Sequence, residues 1–241
     1  MTLNLEKYYD INNKYEIGVD EAGRGPLLGR VYAAAVILPK DDSFNHAEMK
    51  DSKKFYSKKK IKEVAEYIKN NAIAWSVHYE DEKKIDEINI LNATYLCMHK
   101  CIKNICDQMK DMETEYTDPY LMIDGKFFKP YSVFKDNEIQ CLPHICIEKG
   151  DGKYTNIAAA SILAKVHRDD YIEELCNNYP DLQNKYHTES NKGYGSKNHL
   201  NGIREHGICQ FHRKTFGICK TSNEVILDRN SSIQTNLLTN N

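Results

Sequence analysis

Two adjacent carboxylates, Asp20 and Glu21, stand between an apolar run and a turn rich in glycine. Apolar residues alternate over residues 15–19 and fill residues 31–38, which predicts a hairpin of two buried strands with the acids at the end of the first. Because neighbouring strand residues point to opposite faces, we expect the chain to leave strand geometry at the acids if both serve one site. The glycines of the turn, residues 23–25, permit such a bend.

Glycines after a strand also occur in dinucleotide-binding folds, but this segment does not match that class. The spacing is G-x-G-x-x-x-G, Pro26 interrupts the turn, and a β-rich segment follows where a helix would have to begin. An ordinary surface pair of acids is the other alternative, and the apolar strands on both sides count against it.

Two further apolar runs lead into carboxylates. Asp124 follows the run at residues 120–123, and Asp151 follows the run at residues 141–147. Oxygen ligands from several carboxylates favour Mg²⁺ or Mn²⁺, and a pair of such ions can stabilise both the attacking and the leaving oxygen of a phosphodiester displacement. The pattern therefore predicts metal-assisted phosphodiester chemistry that needs no serine or histidine nucleophile.

A lysine-rich segment follows the apolar run at residues 31–38. Residues 50–62 hold seven lysines against one acid, and Lys53 and Lys54 precede a helix predicted to begin after Ser57. The simpler interpretation is the solvated start of a helix, and it is compatible with phosphate binding by the two lysines in the loop.

Two cations lie on a helix that we predict over residues 155–175, whose centre consists of small residues suited to packing against a sheet. Lys165 and Arg168 are three apart and so share one helix face. They either pair with neighbouring acids (Asp169, Glu173 or Glu174) or present positive charge near the carboxylates.

Beyond residue 179 the pattern predicts a polar loop in which basic and aromatic residues alternate, among them Tyr194. A short helix over residues 197–206 interrupts it. Basic groups interleaved with aromatics are typical of surfaces that contact phosphates and stack on sugars or bases. Residues 221–241 hold little to bury, and we expect them to form a poorly ordered tail.

The composition indicates one sizeable domain. The chain has 241 residues, of which 41% are hydrophobic and 28% charged, and a net charge of −2 argues against a generally basic protein that coats nucleic acid. No apolar run approaches the roughly 18 residues of a membrane span, so we expect no membrane partner and a cytoplasmic location. The eight cysteines form no C-x-x-C pair, which argues against a zinc module.

The sequence also resembles the type 2 ribonucleases H, and within them the ribonuclease HII family, over residues 15–217. The matching segments are residues 18–25, 51–54, 85–94, 123–125, 149–151, 158–169, 192–199 and 212–213. The resemblance implies an α/β ribonuclease H-like fold with a five-stranded mixed sheet flanked by helices and a C-terminal extension of helices and loops. We expect this domain to cover residues 15–220, after an N-terminal segment of residues 1–14.

The resemblance also implies a role for each residue that carries it. Four acids would bind two Mg²⁺ or Mn²⁺ ions and act in catalysis: Asp20, Glu21, Asp124 and Asp151. The backbone of Gly23, Arg24 and Gly25 would recognise a ribose 2′-hydroxyl, and Tyr194 would stack on the neighbouring deoxyribose. Lys53, Lys165 and Arg168 would contact phosphates or support the site.

The implied function is an endoribonuclease that cleaves the RNA strand of RNA/DNA hybrids and single ribonucleotides in duplex DNA, 5′ to the ribonucleotide, leaving 5′-phosphate and 3′-hydroxyl ends. Two alternatives stay open at this point. One is a DNA-only carboxylate nuclease of the junction-resolvase kind on the same fold, and the other is a nucleic-acid-binding module without catalysis. The tail lacks the aromatic pair of a sliding-clamp-binding motif, so the sequence does not support recruitment by a clamp. We expect a monomer.

The chain departs from the family pattern at a few positions. Arg30 replaces the usual proline, Phe55 replaces the usual leucine, and residues 181–191 are less regular than expected. The turn containing Arg24 separates the chain from ribonuclease HIII, which resembles it in fold but lacks that turn and has an additional N-terminal domain.

Overall fold

The structure is a computed structural model that describes residues 5–112, 117–135 and 137–230. The strands are β1 (Glu16–Ala22), β2 (Val31–Ile37), β3 (Ala74–Glu80), β4 (Tyr120–Asp124), β5 (Ser132–Lys135), β6 (Glu138–Cys141), β7 (His144–Ile147), β8 (Ile208–Cys209) and β9 (Glu224–Val225). The helices are α1 (Lys58–Asn71), α2 (Glu82–Ile88), α3 (Ile90–Met112), α4 (Thr155–Asn178), α5 (Asp181–Tyr186), α6 (Thr188–Asn191) and α7 (Lys197–His206).

The central layer is a five-stranded sheet in the order β3-β2-β1-β4-β7. The hairpin of β1 and β2 is antiparallel, as is the pairing of β2 with β3, whereas β1, β4 and β7 run parallel. The predicted five-stranded mixed sheet is therefore confirmed. Because parallel strands end at the same edge of a sheet, the carboxyl ends of β1, β4 and β7 lie side by side.

Helices cover both faces of this sheet. The amphipathic helix α3 packs on one face, against Ile17 and Val19 of β1, and α1 and α4 pack on the other. The backbone of α4 lies very close to β1. A Cβ atom added at Gly18 would lie only 2.3 Å from the backbone carbonyl carbon of Asn156. Only glycine fits at that point of β1.

The apolar run over residues 141–147 does not form a single strand. Cys141 ends β6, which forms a separate two-stranded sheet with β5, and β7 begins only at His144. Pro143 lies between them and has no N–H to donate to a sheet, so the run cannot continue as one strand.

The C-terminal part is more regular than predicted. Residues 181–191 form α5 and α6 instead of a loop, while α7 spans the residues predicted for it. A third apolar cluster holds this part together and includes Leu182, Tyr186 and Leu227. The packed chain thus continues past the expected boundary at residue 220, through β9 to Leu227, and residues 231–241 of the predicted tail lie outside the described residues.

The N-terminal segment lies against the domain. The Glu6 N–H donates to the carbonyl of Lys153 at 2.8 Å, and the buried carboxylate of Glu16 accepts from the N–H groups of Tyr9 and Asp10, each at 2.8 Å. Among the helices that the structure describes, none is both long enough and apolar enough to cross a membrane.

One buried arginine joins the C-terminal part to the β1–β2 connection. The guanidinium of Arg213 is fully buried and donates five hydrogen bonds of 2.6–3.1 Å to backbone carbonyls. The acceptors are Gly23, Arg24, Pro26, Gly29 and Arg30. A guanidinium has five N–H donors, so its hydrogen-bonding capacity is filled by this one loop.

We predict that Arg213→Lys destabilises the protein by about 3 kcal/mol or more, because an ammonium group cannot reach all five carbonyls and would leave several buried without a donor. Urea unfolding measures the change. The control is Arg204→Lys on the exposed surface of α7, which should stay within roughly 0.5 kcal/mol of the parent. Equal stabilities of the two variants would contradict the structural role of Arg213.

Candidate active site

A cavity of about 370 Å³ opens at the edge where β1 and β4 end. Asp20, Glu21 and Asp124 line it, together with the turn of Gly23, Arg24 and Gly25. Lys53, Lys165, Arg168 and Tyr194 complete the set of predicted residues in the lining. The parallel arrangement of the strands thus assembles residues that are more than 100 positions apart in the sequence.

Asp20 is the most deeply buried acid of this group. Its Oδ1 accepts the N–H of Glu21 at 2.7 Å, and the hydroxyl of Ser161 on α4 is also hydrogen-bonded to it. Burial raises the pKa of the Asp20 carboxyl well above its usual range, and the nearby charges of Glu21 and Asp124 add to the effect. A cation among these acids would offset both causes.

Glu21 reaches the same cavity without leaving the strand. Asp20 and Glu21 remain paired with Ala34 and Ala33 of β2, so the expected break in strand geometry is wrong. Glu21 is the next-to-last residue of β1 and has the longer side chain, which extends around the strand end. Its Oε1 lies 3.3 Å from the guanidinium of Arg24, and burial raises the pKa of its carboxyl, with Arg24 opposing the rise.

Asp151 lies beside the cavity in a short 3-10 turn, Gly150–Gly152, that follows β7. The Gly150 N–H donates to Asp124 Oδ1 at 2.6 Å, which fixes this turn to the end of β4. Lys53 Nζ lies 3.8 Å from Asp151 Oδ2. Burial raises the pKa of the Asp151 carboxyl, and the charge of Asp124 raises it further.

The donor set fits a hard divalent cation. All four acids offer carboxylate oxygens, the ligands that Mg²⁺ and Mn²⁺ prefer. The raised pKa values of Asp20, Glu21 and Asp151 reflect burial and repulsion between carboxylates, which a cation would relieve. Within the described ranges, no three His, Cys, Asp or Glu side chains are grouped tightly enough to hold an ion as they stand. The acids are neighbours and do not form a finished cage.

The lysines and Arg168 differ in how they are held. Lys165 pairs with Asp169 at 2.8 Å, as the simpler interpretation predicted, and the side chain of Lys53 is 81% exposed. Arg168 is buried and donates to the carbonyl of Lys192 at 2.8 Å, and its Nε has no hydrogen-bond partner among the described residues. Burial lowers the pKa of the Arg168 guanidinium.

The glycine turn and Tyr194 form the opposite wall. Gly23 has φ +96°, and a Cβ there would lie 2.3 Å from Arg168 Nε, so only glycine fits against the arginine. Tyr194 is half-exposed, and its ring lies 5.7 Å from the Arg168 guanidinium. A Cβ at Gly25 would lie 3.4 Å from Cε1 of that ring, which places the ring against the turn.

Two residues near the site went unrecognised in the sequence. The hydroxyl of Ser161 is hydrogen-bonded to Asp20 and lies 3.0 Å from the hydroxyl of Ser52. This second contact joins α4 to the loop that contains Lys53 and Lys54. Arg213 donates hydrogen bonds to the backbone carbonyls of Gly23 and Arg24 in the glycine turn. Both lie inside segments that match the family pattern, but nothing in their residue type indicates a partner.

The raised pKa of Asp20 gives a test of the site without substrate. Because the pKa is higher in the folded chain than in the unfolded chain, ionisation at neutral pH costs stability, and the cost disappears as the pH falls towards the ordinary carboxyl value of about 4. We predict that Asp20→Asn raises the melting temperature of the metal-free protein at pH 7 and that the difference from the parent narrows towards pH 4. A lower melting temperature at pH 7 would contradict the electrostatic account.

Comparison with known proteins agrees with this geometry. The family model described as Ribonuclease HII matches residues 17–219. Two curated relatives carry the same name: that of Parabacteroides distasonis is 45% identical over 86% of this chain and 92% of its own, and that of Phocaeicola vulgatus is 47% identical over 86% and 90%.

A solved structure shares the fold. The ribonuclease H2 from Pyrococcus horikoshii OT3 superposes with a TM-score of 0.61 at 22% identity, over 86% of this chain and 95% of its own. The chain therefore belongs to the ribonuclease HII family, divalent-metal-dependent endoribonucleases that cleave RNA in RNA/DNA hybrids.

Proposed function

We propose that this chain cuts duplex nucleic acid on the 5′ side of a ribonucleotide, including a single ribonucleotide within DNA. The observation that carries the proposal is the shared cavity, in which three acids face a glycine turn and a half-exposed tyrosine. The acids supply the chemistry, and the turn and the tyrosine supply the selectivity for ribose.

Asp20, Glu21, Asp124 and Asp151 are the proposed catalytic acids. Bound Mg²⁺ or Mn²⁺, two ions in our proposal, would stabilise charge on the attacking and leaving oxygens of the phosphodiester. Water adds to phosphorus, and the bond to the 3′ oxygen of the preceding nucleotide breaks. That oxygen leaves with a proton as a 3′-hydroxyl, and the ribonucleotide keeps the phosphate at its 5′ end.

The cations of the cavity orient the substrate. Lys53 is largely exposed and lies at the edge of the cavity, 3.8 Å from Asp151. Because this ion pair is long and exposed, Lys53 can turn to bind a phosphate at little cost. Arg168 is held rigidly by burial, and its unpartnered Nε supports a role for the guanidinium in positioning the wall of the cavity. Lys165 acts more weakly in this scheme, because Asp169 already neutralises it.

Selectivity requires contact with the 2′-hydroxyl, the group that marks a ribonucleotide in DNA. The absence of side chains at Gly23 and Gly25 lets the backbone of the turn approach a sugar closely, and Arg213 keeps that backbone in place. Tyr194 covers the neighbouring sugar, which fits best when that sugar lacks its own hydroxyl.

Two alternatives are weaker. A DNA-only nuclease has no use for a turn that approaches the sugar edge beside a stacking tyrosine, and an inactive binding module has no use for acids buried together at an energetic cost. We further propose that the protein acts as a monomer in the cytoplasm, where nucleic acid containing ribonucleotides is found.

Substitution of a proposed catalytic acid tests the chemistry. Asp124→Asn should lower kcat by roughly 10² or more, because it removes a negative charge from the metal site but keeps an oxygen that accepts the Gly150 N–H. Excess chelator should abolish activity of the parent. The matched control is Asp107→Asn, at an exposed acid paired with Lys103 on α3, which should cut at the parental rate. Parental rates in Asp124→Asn would refute the assignment.

A further prediction concerns selectivity. Cleavage is compared on three labelled duplexes with Mg²⁺ or Mn²⁺: all-DNA, single-ribonucleotide and continuous hybrid. Tyr194→Ala should reduce cutting at the single ribonucleotide more than cutting within the hybrid, because it removes contact with the deoxyribose only. Arg24→Ala should reduce both, since it disturbs the turn that contacts every ribose.

The ends of the cleavage products, and the activity of the parent protein on the three duplexes, distinguish the proposed function from its alternatives. A 5′ cut leaves a 3′-hydroxyl on the DNA and a 5′-phosphate on the ribonucleotide, which end-labelling detects. Equal cutting of all-DNA would favour a resolvase-like nuclease, and a requirement for several consecutive ribonucleotides would mean that the turn and Tyr194 do not recognise a lone ribose.

A further inference from the structure

Two buried histidines behind the cavity wall form a continuous hydrogen-bonded chain that ends at Tyr194. His199 on α7 is 0% exposed and His212 is 1% exposed. Their Nε2 atoms are 3.0 Å apart, and His199 Nδ1 lies 2.9 Å from the carbonyl oxygen of Tyr194. Neither ring lines the cavity, so neither can touch a substrate there.

The protons of this chain are fixed by its far end. The backbone N–H of Cys209 donates to His212 Nδ1 at 2.9 Å, and a backbone nitrogen can only donate. A neutral His212 therefore has its proton on Nε2 and donates to His199 Nε2. His199 in turn has its proton on Nδ1 and donates to the Tyr194 carbonyl. Each bond dictates the direction of the next.

The environment of the pair favours the neutral forms that this scheme needs. Burial lowers the pKa of His212 to about 3, and it also lowers the pKa of His199. The ring of Tyr186 packs edge-on against both histidines, at 4.9 Å from His212 and 6.0 Å from His199. The hydrogen-bonded chain is therefore enclosed by protein. In such an interior of low dielectric constant, hydrogen bonds are stronger and orient their partners more firmly.

The hydrogen-bonded chain meets the residue that most needs a fixed backbone. Tyr194 is half-exposed. Its position over Gly25 depends on main-chain bonds: its N–H donates to Asn191, and its carbonyl accepts from Ser196 and from His199. Of these three bonds, the one from His199 comes from a side chain. The His199 ring packs against Tyr186 of the third apolar cluster, so this bond ties Tyr194 to the packed C-terminal part.

We propose that His199 and His212 are positioning residues that hold Tyr194 over the glycine turn and thereby set the preference for a lone ribonucleotide. The link to substrate preference rests on the role proposed above for Tyr194. The link to Tyr194 itself, through fixed tautomers and a fixed backbone, stands independently of catalysis.

The tautomers are measured first, on the unmodified chain. Long-range ¹H–¹⁵N spectra at neutral pH should show His212 with its proton on Nε2 and His199 with its proton on Nδ1. The opposite tautomer in either ring, or a doubly protonated ring, would overturn the proposal whatever the enzyme cleaves.

The variants test the consequence for Tyr194. His199→Phe keeps the ring shape but can neither accept from His212 nor donate to Tyr194, so the order parameter of the Tyr194 amide should fall from about 0.85 to below about 0.6. His199→Gln, whose amide offers a donor and an acceptor, should recover most of the order. The matched control is His46→Phe, at a buried histidine bonded to Thr155 at 2.9 Å, which should leave the Tyr194 amide ordered. An ordered Tyr194 amide in His199→Phe would overturn the proposal.

Cleavage then tests the link to preference. His199→Phe should lower the ratio of single-ribonucleotide to hybrid cutting about tenfold, as expected for the loss of one buried hydrogen bond, and by less than about twofold in a Tyr194→Ala background. An equal loss in both backgrounds would show that His199 does not act through Tyr194. If Tyr194→Ala alone left the ratio unchanged, the proposed function of Tyr194 would fail and the preference part of this proposal with it, while the tautomer and order measurements would still decide the positioning part.

Discussion

The geometry of the glycine turn in the candidate site depends on the guanidinium of Arg213, which donates hydrogen bonds to five backbone carbonyls. Arg213 takes its acceptors from the whole connection between β1 and β2, so a loop that contains three glycines and a proline has a single backbone path. The acceptors are neutral, and the five hydrogen bonds offset part of the cost of burying the charge. The cost of disturbing any of these bonds is high, because each carbonyl would be left in a dry interior.

A second constraint is the direction of the strands. β1, β4 and β7 run parallel, and their shared edge brings Asp20, Asp124 and the turn containing Asp151 together. The burial and mutual repulsion of these acids oppose the fold, as the raised pKa values of Asp20 and Asp151 indicate. The stability for this arrangement comes from elsewhere, chiefly from the apolar faces that α3 and α4 cover.

Sequence patterns predicted the elements whose burial repeats regularly. The hairpin of β1 and β2, the long helix α4 and the short helix α7 follow from periodic apolar or small residues. The helices α5 and α6 have six and four residues, too few for a helical period to be recognised, and Leu227 is buried by a cluster distant in sequence. The acids and the glycine turn were identified by their motif, whereas the partners of Arg213 are backbone carbonyls, which leave no trace in residue identity.

The positions of the parts along the chain also matter while the protein is being made. The first acids are in β1, the last acid is at residue 151, and the arginine that shapes the turn is at residue 213. A chain emerging from the ribosome therefore lacks a complete site until almost all of it has been synthesised. With the proposed acids and turn as its active site, the nuclease would not act on the nucleic acid around the ribosome until its synthesis is almost complete.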